Sequence, residues 1–160
     1  MVGCLLIPFF EISAMTTLHP ARTRFVVLCL ALAAGMAGAQ GVGTSLYERL
    51  GGRDKIAAAA NEIVDAVSHD ARTKRTFDGI KLAPLKLMVA DHLCAVAGGP
   101  CTYRGETMTV AHTGLAITDE EFDVMGSFVD AAFAHQGVAI VDRRELEALL
   151  TLMRREVVGK

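Results

Sequence analysis

The chain has 160 residues, a formal charge of −2 at neutral pH and 52% hydrophobic residues, which together predict one compact domain. Charged residues account for 21% of the sequence and no basic run occurs. This composition argues against a disordered chain and gives nucleic acid no electrostatic footprint.

The N-terminal region has the order of features that is typical of a secretory signal peptide. Arg22 and Arg24 precede an apolar run over residues 25–34, and the small residues AGA follow at 37–39. The apolar run is shorter than the roughly 20 residues that a membrane-spanning helix needs. Small residues in this place suit signal peptidase, so the pattern predicts export.

The predicted cleavage divides the chain into a signal peptide at residues 1–39 and a mature domain at residues 40–160. Residues 1–14 add a second apolar stretch ahead of the basic one, which is unusual for a signal, and we interpret Met15 as the true start. An uncleaved N-terminal anchor is the alternative. Cleavage predicts a periplasmic or secreted protein with no stable membrane insertion once the signal is removed.

Apolar residues at helical spacing predict the first two helices of the mature domain. Two glycines at 51–52 break the chain before a helix over Lys55–Val67. A second helix begins near Pro84, a residue suited to the first helical turn, and stops at the sequence GGP at 98–100.

Two further helices follow. Thr118 and Glu121 form a capping box ahead of the third, which Gly137 ends. The last helix is predicted over Arg143–Val158. No alternating strand pattern competes with these four helices, so the sequence predicts an all-α domain whose facing helices can enclose a ligand.

A set of separated motifs runs in order through the chain from Ser45 onward. It comprises LYERLGG at 46–52, Phe77, GGP at 98–100 with Tyr103 and Gly105, MTVAH at 108–112, Gly114-Leu115, Ile117-Thr118 and Phe122-Asp123. In order and spacing this set resembles the group I truncated haemoglobins. The resemblance implies a truncated globin fold, a two-over-two helical sandwich around haem, with a minimal first helix and a proximal helix reduced to a loop and a short turn. The implied haem is b-type and non-covalent, since no Cys-x-x-Cys-His sequence occurs.

The resemblance also implies roles for single residues. His112 matches the proximal histidine that binds iron, for which neutral imidazole is a good donor. Phe77 matches the aromatic residue on the haem face, and an ordinary core phenylalanine is the alternative. Lys86 is a candidate partner of a haem propionate, with a simply solvated lysine as the equal alternative. The remaining implied haem contacts are Ile63, Val64, Leu85, Val89, Met108, Ile117 and Phe122.

The distal side departs from the family pattern. Ile63 and Val64 stand where group I members usually carry a Phe-Tyr pair, whose tyrosine donates a hydrogen bond to bound oxygen. Leu85 and Val89 face them, and many relatives have glutamine at the latter position. A missing hydrogen bond to polarised dioxygen costs about 1–3 kcal/mol, or roughly ten- to a hundredfold in affinity. We therefore expect neither tight oxygen storage nor efficient nitric-oxide dioxygenation.

Met88 and His92 share the helical face of Leu85 and Val89. Met88 stands where some relatives place a second iron-binding histidine, and a thioether there would raise the reduction potential. A flexible core filler is the favoured interpretation of Met88, and a partly exposed structural histidine that of His92.

Cys94 and Cys101 bracket the glycine-rich turn. No second cysteine pair or nearby histidine completes a zinc site, and behind a signal peptide a disulfide is the natural interpretation. Such a bond would brace the loop that leads to His112.

Three functions are compared. The first is a haem protein that binds oxygen, nitric oxide or carbon monoxide, and is a ligand binder rather than a dedicated enzyme. The second is a periplasmic redox or electron-transfer protein whose sixth ligand is Met88 or His92, working with a reductase that the sequence does not identify. The third, a globin that has lost haem, is disfavoured by the presence of His112 and Phe77. Peroxidase-type catalysis is disfavoured because the distal residues offer no acid–base group.

The signal-peptide hypothesis predicts that the exported protein begins at Gln40. Intact-mass spectrometry of exported material should show the loss of residues 1–39, and replacing the small residues with Ala37→Leu and Ala39→Leu should block that loss. Exported protein that still carries the AGA sequence would contradict the hypothesis.

Overall fold

The computed structural model describes residues 43–160, so the predicted signal peptide and the Met15 start lie outside the described residues. The described part is helical, with one isolated bridge between Ile117 and Val158 in place of any strand, and the all-α prediction is confirmed. Its elements are α1 (Leu46–Arg49), α2 (Gly52–His69), a 3-10 turn (Lys74–Phe77), α3 (Leu82–Val96), α4 (Met108–His112), α5 (Asp119–His135), α6 (Ile140–Thr151) and α7 (Arg154–Val157).

Helix α2 is the centre of the core, because α3 and α5 both pack against it. Its buried stripe includes Ala59 and Ala60, small residues that let the neighbouring helices approach closely. Phe133 of α5 is fully buried in the same cluster. The helix predicted over Lys55–Val67 is therefore present and extends by a few residues at both ends.

Helix α5 begins where the capping box predicts. The Thr118 hydroxyl accepts a hydrogen bond from the Glu121 amide at 3.2 Å, and the Glu121 carboxylate accepts one from the Thr118 amide at 2.9 Å. Gly137, just beyond the end of the helix, has φ +75°, a conformation in which glycine carries no Cβ penalty.

The single helix predicted over Arg143–Val158 is wrong in its bounds. In the structure α6 begins earlier, at Ile140, and ends at Thr151, and the short α7 follows only at Arg154. Beyond α7 the chain leaves helical geometry because Val158 pairs with Ile117, and the Gly159 amide donates to the Ile117 carbonyl at 2.9 Å. This long-range pairing draws the C-terminus onto the loop after α4.

The turn after α3 is tightly packed against α1. The Tyr47 amide donates to the Ala97 carbonyl at 2.9 Å, and a Cβ added at Gly99 would lie 2.4 Å from the Tyr47 ring and 2.7 Å from the Cys94 sulfur. Only glycine fits this approach. The structure also brings Cys94 and Cys101 to disulfide distance, with their Cα atoms 5.8 Å apart. The described residues include no helix with the length and apolarity that a membrane crossing requires.

A Cys94–Cys101 bond predicts a stability that depends on oxidation. Closing a loop of this length stabilises the fold by about 2.5 kcal/mol in the chain-entropy model. The midpoint of urea unfolding of the oxidised protein should therefore shift to a lower urea concentration when a thiol reductant is added. The double variant Cys94→Ser/Cys101→Ser is the control, since the midpoint of its unfolding should not change when the reductant is added. An unchanged wild-type midpoint would argue against the bond.

Candidate functional site

One cavity of about 780 Å³ lies among α2, α3, α4, α5 and α6. Its size is that of a site for a small molecule or cofactor. The sequence-predicted residues that line it are Ile63, Val64, Phe77, Leu85, Val89, Met108, His112, Ile117 and Phe122. Residues far apart in the chain thus converge on one cavity, whose lining is mainly apolar and also includes charged residues such as Arg143 and Arg154.

His112 is the last residue of the five-residue helix α4 and lies in the cavity wall. Thr107 caps this short helix, its hydroxyl accepting from the Val110 amide at 3.3 Å. The imidazole Nδ1 lies 2.7 Å from the Met108 carbonyl oxygen. A carbonyl can only accept, so Nδ1 carries the proton and Nε2 keeps its lone pair. Histidines that bind metal ions are oriented by such a bond.

His92, on α3, also lines the cavity and is partly buried. Its ring packs edge-on against Tyr103, with ring centroids 4.9 Å apart. Burial lowers the pKa of His92, and the proximity of the second imidazole, that of His112, lowers that pKa further. His92 is therefore neutral at neutral pH.

Lys86 is outside the set of residues that line the cavity. Its ammonium forms a salt bridge with the Asp65 carboxylate at 2.7 Å, across the α2–α3 contact. Asp65 lies 21 residues earlier in the chain, beyond the reach of helical periodicity. A propionate contact for Lys86 stays a prediction without structural support.

The side of the cavity formed by Val64 and Val89 is apolar, and Val64 is only 1% exposed. Every hydroxyl among the described residues that line the cavity already donates to a backbone carbonyl. The pairs are Thr73 to Val67, Thr76 to Thr73, Tyr103 to Glu106, Ser127 to Val124 and Thr151 to Glu147. These hydroxyls are therefore already engaged. The other donors in the lining are the imidazoles of His92 and His112 and the guanidinium groups of Arg143, Arg144 and Arg154, and the buried Nε of Arg143 has no hydrogen-bond partner among the described residues.

A charged pair that the sequence did not predict lies at the loop that follows His112. Arg75, in the 3-10 turn, binds the Glu121 carboxylate with both Nε (2.7 Å) and Nη2 (2.6 Å). Its guanidinium holds the pKa of Glu121 below the ordinary value, and Arg75 has a raised pKa for the same reason. Sequence reasoning identified Glu121 as a helix cap only, and no local signal links it to a residue 46 positions away.

The residues present fit a large, flat and mainly apolar cofactor with one nitrogen ligand. His112 offers Nε2, and the apolar part of the lining suits the face of such a cofactor. Ile80, Met88 and Ile140 are apolar lining residues that stand exposed, so a bound apolar group would cover them. The described residues contain no group of three or more His, Cys, Asp or Glu side chains that would hold a bare metal ion.

A family model described as bacterial-like globin matches residues 45–158. The Group 1 truncated hemoglobin of Tetrahymena pyriformis is 28% identical over 116 residues, covering 72% of this chain and 96% of that protein. A crystal structure of that hemoglobin in the Fe(III) form superposes with a TM-score of 0.71 over 73% of this chain and 100% of its own. The 2/2 hemoglobin of a Synechococcus species, solved in the cyanomet state with covalently attached heme, gives a TM-score of 0.66 at 25% identity, covering 72% of this chain and 98% of that chain.

Proposed function

The chain belongs to the bacterial-like globin family, and we propose that it binds haem through His112 and takes up a diatomic gas in an apolar pocket. Truncated globins bind haem and diatomic gases. The observation that carries the proposal for this chain is the 2.7 Å contact between His112 Nδ1 and the Met108 carbonyl, in the wall of an aliphatic cavity. That contact leaves Nε2 as the one nitrogen of His112 free to bind iron.

Haem, when bound, supplies an iron centre with a coordination position for oxygen, nitric oxide or carbon monoxide. Phe77, Met108, Ile117 and Phe122 line the cavity with apolar surface that would hold the macrocycle and exclude water. Binding is non-covalent in this proposal, as the sequence has no Cys-x-x-Cys-His motif.

The distal residues set the expected ligand preference. Val64, Leu85 and Val89 carry no hydrogen-bond donor, and the lining hydroxyls are already bonded to backbone carbonyls. Dioxygen is polarised when bound and gains from a donor, whereas carbon monoxide remains nearly neutral and gains less. We therefore propose that this pocket releases oxygen quickly and holds carbon monoxide comparatively well.

The redox alternative rests on Met88 or His92 as a sixth ligand. Both line the cavity, but Met88 is exposed and His92 is packed on Tyr103. Neither placement favours this alternative over the gas-binding proposal. A six-coordinate spectrum of the ferrous protein, before any gas is added, would reverse this preference.

We further propose that the protein works outside the cytoplasm, in the periplasm or as a secreted protein. Two features support this proposal: the signal-like order of residues 15–39 and the approach of Cys94 to Cys101. Disulfides persist in oxidising compartments and are rare in the cytosol.

The first test of the proposal is the identity of the proximal ligand. His112→Ala should abolish haem binding or leave a weakly bound species with an altered absorption spectrum, because no other atom replaces Nε2. His92→Ala is the matched control, since it removes the other imidazole of the cavity and should retain haem. A Soret band that keeps its position and intensity in His112→Ala would refute the role of His112.

The second test restores a distal donor. Val64→Tyr should slow oxygen dissociation by roughly tenfold or more, because the phenol hydroxyl adds one hydrogen bond to the polarised ligand. Carbon monoxide dissociation should change much less. Stopped-flow ligand displacement measures both rates.

Val64→Phe is the control for this test, since it adds the same ring without the hydroxyl. It should leave oxygen dissociation near the wild-type rate. If the wild-type protein already releases oxygen slowly and Val64→Tyr changes nothing, a donor exists that the distal residues do not reveal, and His92 acting through water becomes the first candidate.

A further inference from the structure

The 3-10 turn Lys74–Phe77 carries two side chains that point to different partners. Phe77 lines the cavity, whereas the Arg75 guanidinium reaches the segment that follows His112. Arg75 Nη1 donates to the Leu115 carbonyl at 2.9 Å, and Nη2 donates to the Ala116 carbonyl at 3.1 Å. A single side chain therefore links the Phe77 turn to the loop after α4.

Glu121 is the second anchor of Arg75. This carboxylate is only 9% exposed, and it accepts hydrogen bonds from the Arg75 guanidinium and from both the amide and the hydroxyl of Thr118. Because a buried carboxylate needs such partners, Glu121 fixes the guanidinium in place while it caps α5. The planar fork of arginine suits these several acceptors, which a lysine ammonium on its flexible stem matches less well.

The loop that Arg75 holds is conformationally unusual. Ala116 has φ +45°, in the left-handed region that residues with a Cβ rarely adopt. Its carbonyl accepts from Arg75, and its amide donates to the Lys160 carbonyl at 2.8 Å. A strained backbone conformation of this kind persists only where surrounding groups hold it. Here Arg75 holds the carbonyl of Ala116, and Lys160 holds its amide.

Helix α4, which ends at His112, is too short to hold itself: α7 packs against it, and the loop that Arg75 holds follows it directly. A five-residue helix gains little from its own hydrogen bonds, so its placement comes from tertiary contacts. We infer that Arg75 is a positioning residue for His112: it holds residues 113–118 against Glu121 and thereby sets how the imidazole reaches the cofactor. This inference rests on the proposed function of His112 as the iron ligand.

The test compares Arg75→Ala with Arg72→Ala. Arg72 is the matched control, since its guanidinium bonds the Asp70 carboxylate within its own turn, at 2.9 Å, and no other group in the described part of the chain. The first readout is the iron–histidine stretching band in the resonance Raman spectrum of the ferrous protein, which a general loss of stability leaves in place. The second is hydrogen–deuterium exchange of residues 113–118 in the haem-free protein. The third is the rate of haem loss to an excess of an acceptor apo-globin.

Arg75→Ala should shift the band, increase exchange in residues 113–118 and speed haem loss by roughly tenfold or more, the scale expected when hydrogen bonds to charged groups are removed. Arg72→Ala should keep all three within about twofold of wild type, because its partner Asp70 lies in the same turn and neither residue bonds to residues 113–118. If Arg75→Ala does not fold, Arg75→Lys decides, because it keeps the charge without the fork and should shift the band in the same direction.

A band and an exchange pattern unchanged in both Arg75 variants would overturn the inference while leaving the assignment of His112 intact. A wild-type protein that binds haem without an iron–histidine band, or whose band survives in His112→Ala, would overturn the proposed function and the inference together. The two failures are therefore distinguishable.

Discussion

Because a carbonyl oxygen accepts hydrogen bonds and never donates them, the 2.7 Å contact between His112 and Met108 determines which imidazole nitrogen can bind a metal. The acceptor lies one turn earlier in the same helix, so the bond exists only while α4 is helical. The chemistry of the cavity thus depends on a helix of five residues. Whatever keeps that helix and its following loop in place also keeps the lone pair of Nε2 available.

Contacts on both sides of α4 in the chain hold this helix in place. Before it, the turn at Gly99 packs on Tyr47, and Cys101 lies beside Cys94 at the start of the connecting loop. After it, the loop is held by Arg75 and by the C-terminal residues that pair with Ile117. Such a short helix has few internal bonds, and this arrangement explains why distant segments of the chain converge on it.

The sequence predicted well those features whose signals are local. Thr118 and Glu121 lie three positions apart and mark the start of α5, and the apolar stripe of α2 repeats with the helical period. The resemblance to truncated haemoglobins led to the family, and the residues it implied line one cavity, with the exception of Lys86.

The features that the sequence did not predict depend on contacts between residues that are far apart in the chain. Lys86 forms its salt bridge with Asp65 across the α2–α3 contact, and Arg75 forms one with Glu121, 46 residues away. The helix predicted over Arg143–Val158 begins earlier, at Ile140, and breaks between Thr151 and Arg154.

Two physical features leave the side of the cavity formed by Val64 and Val89 without a free hydroxyl donor. One is the presence of Val64 and Val89, which lack polar atoms. The other is that the hydroxyls available in the wall are already committed, as in Thr73, which bonds the Val67 carbonyl of the preceding helix at 2.6 Å. Turning such a hydroxyl toward a ligand would leave a buried carbonyl without its partner, which costs about 1–3 kcal/mol and cancels the gain of one new bond. His92 is neutral and its ring packs against Tyr103, so it supplies no fixed positive charge that could replace a hydroxyl donor. On this side of the cavity an added side chain, rather than the rotation of a wall hydroxyl, is therefore the physical route to a new donor.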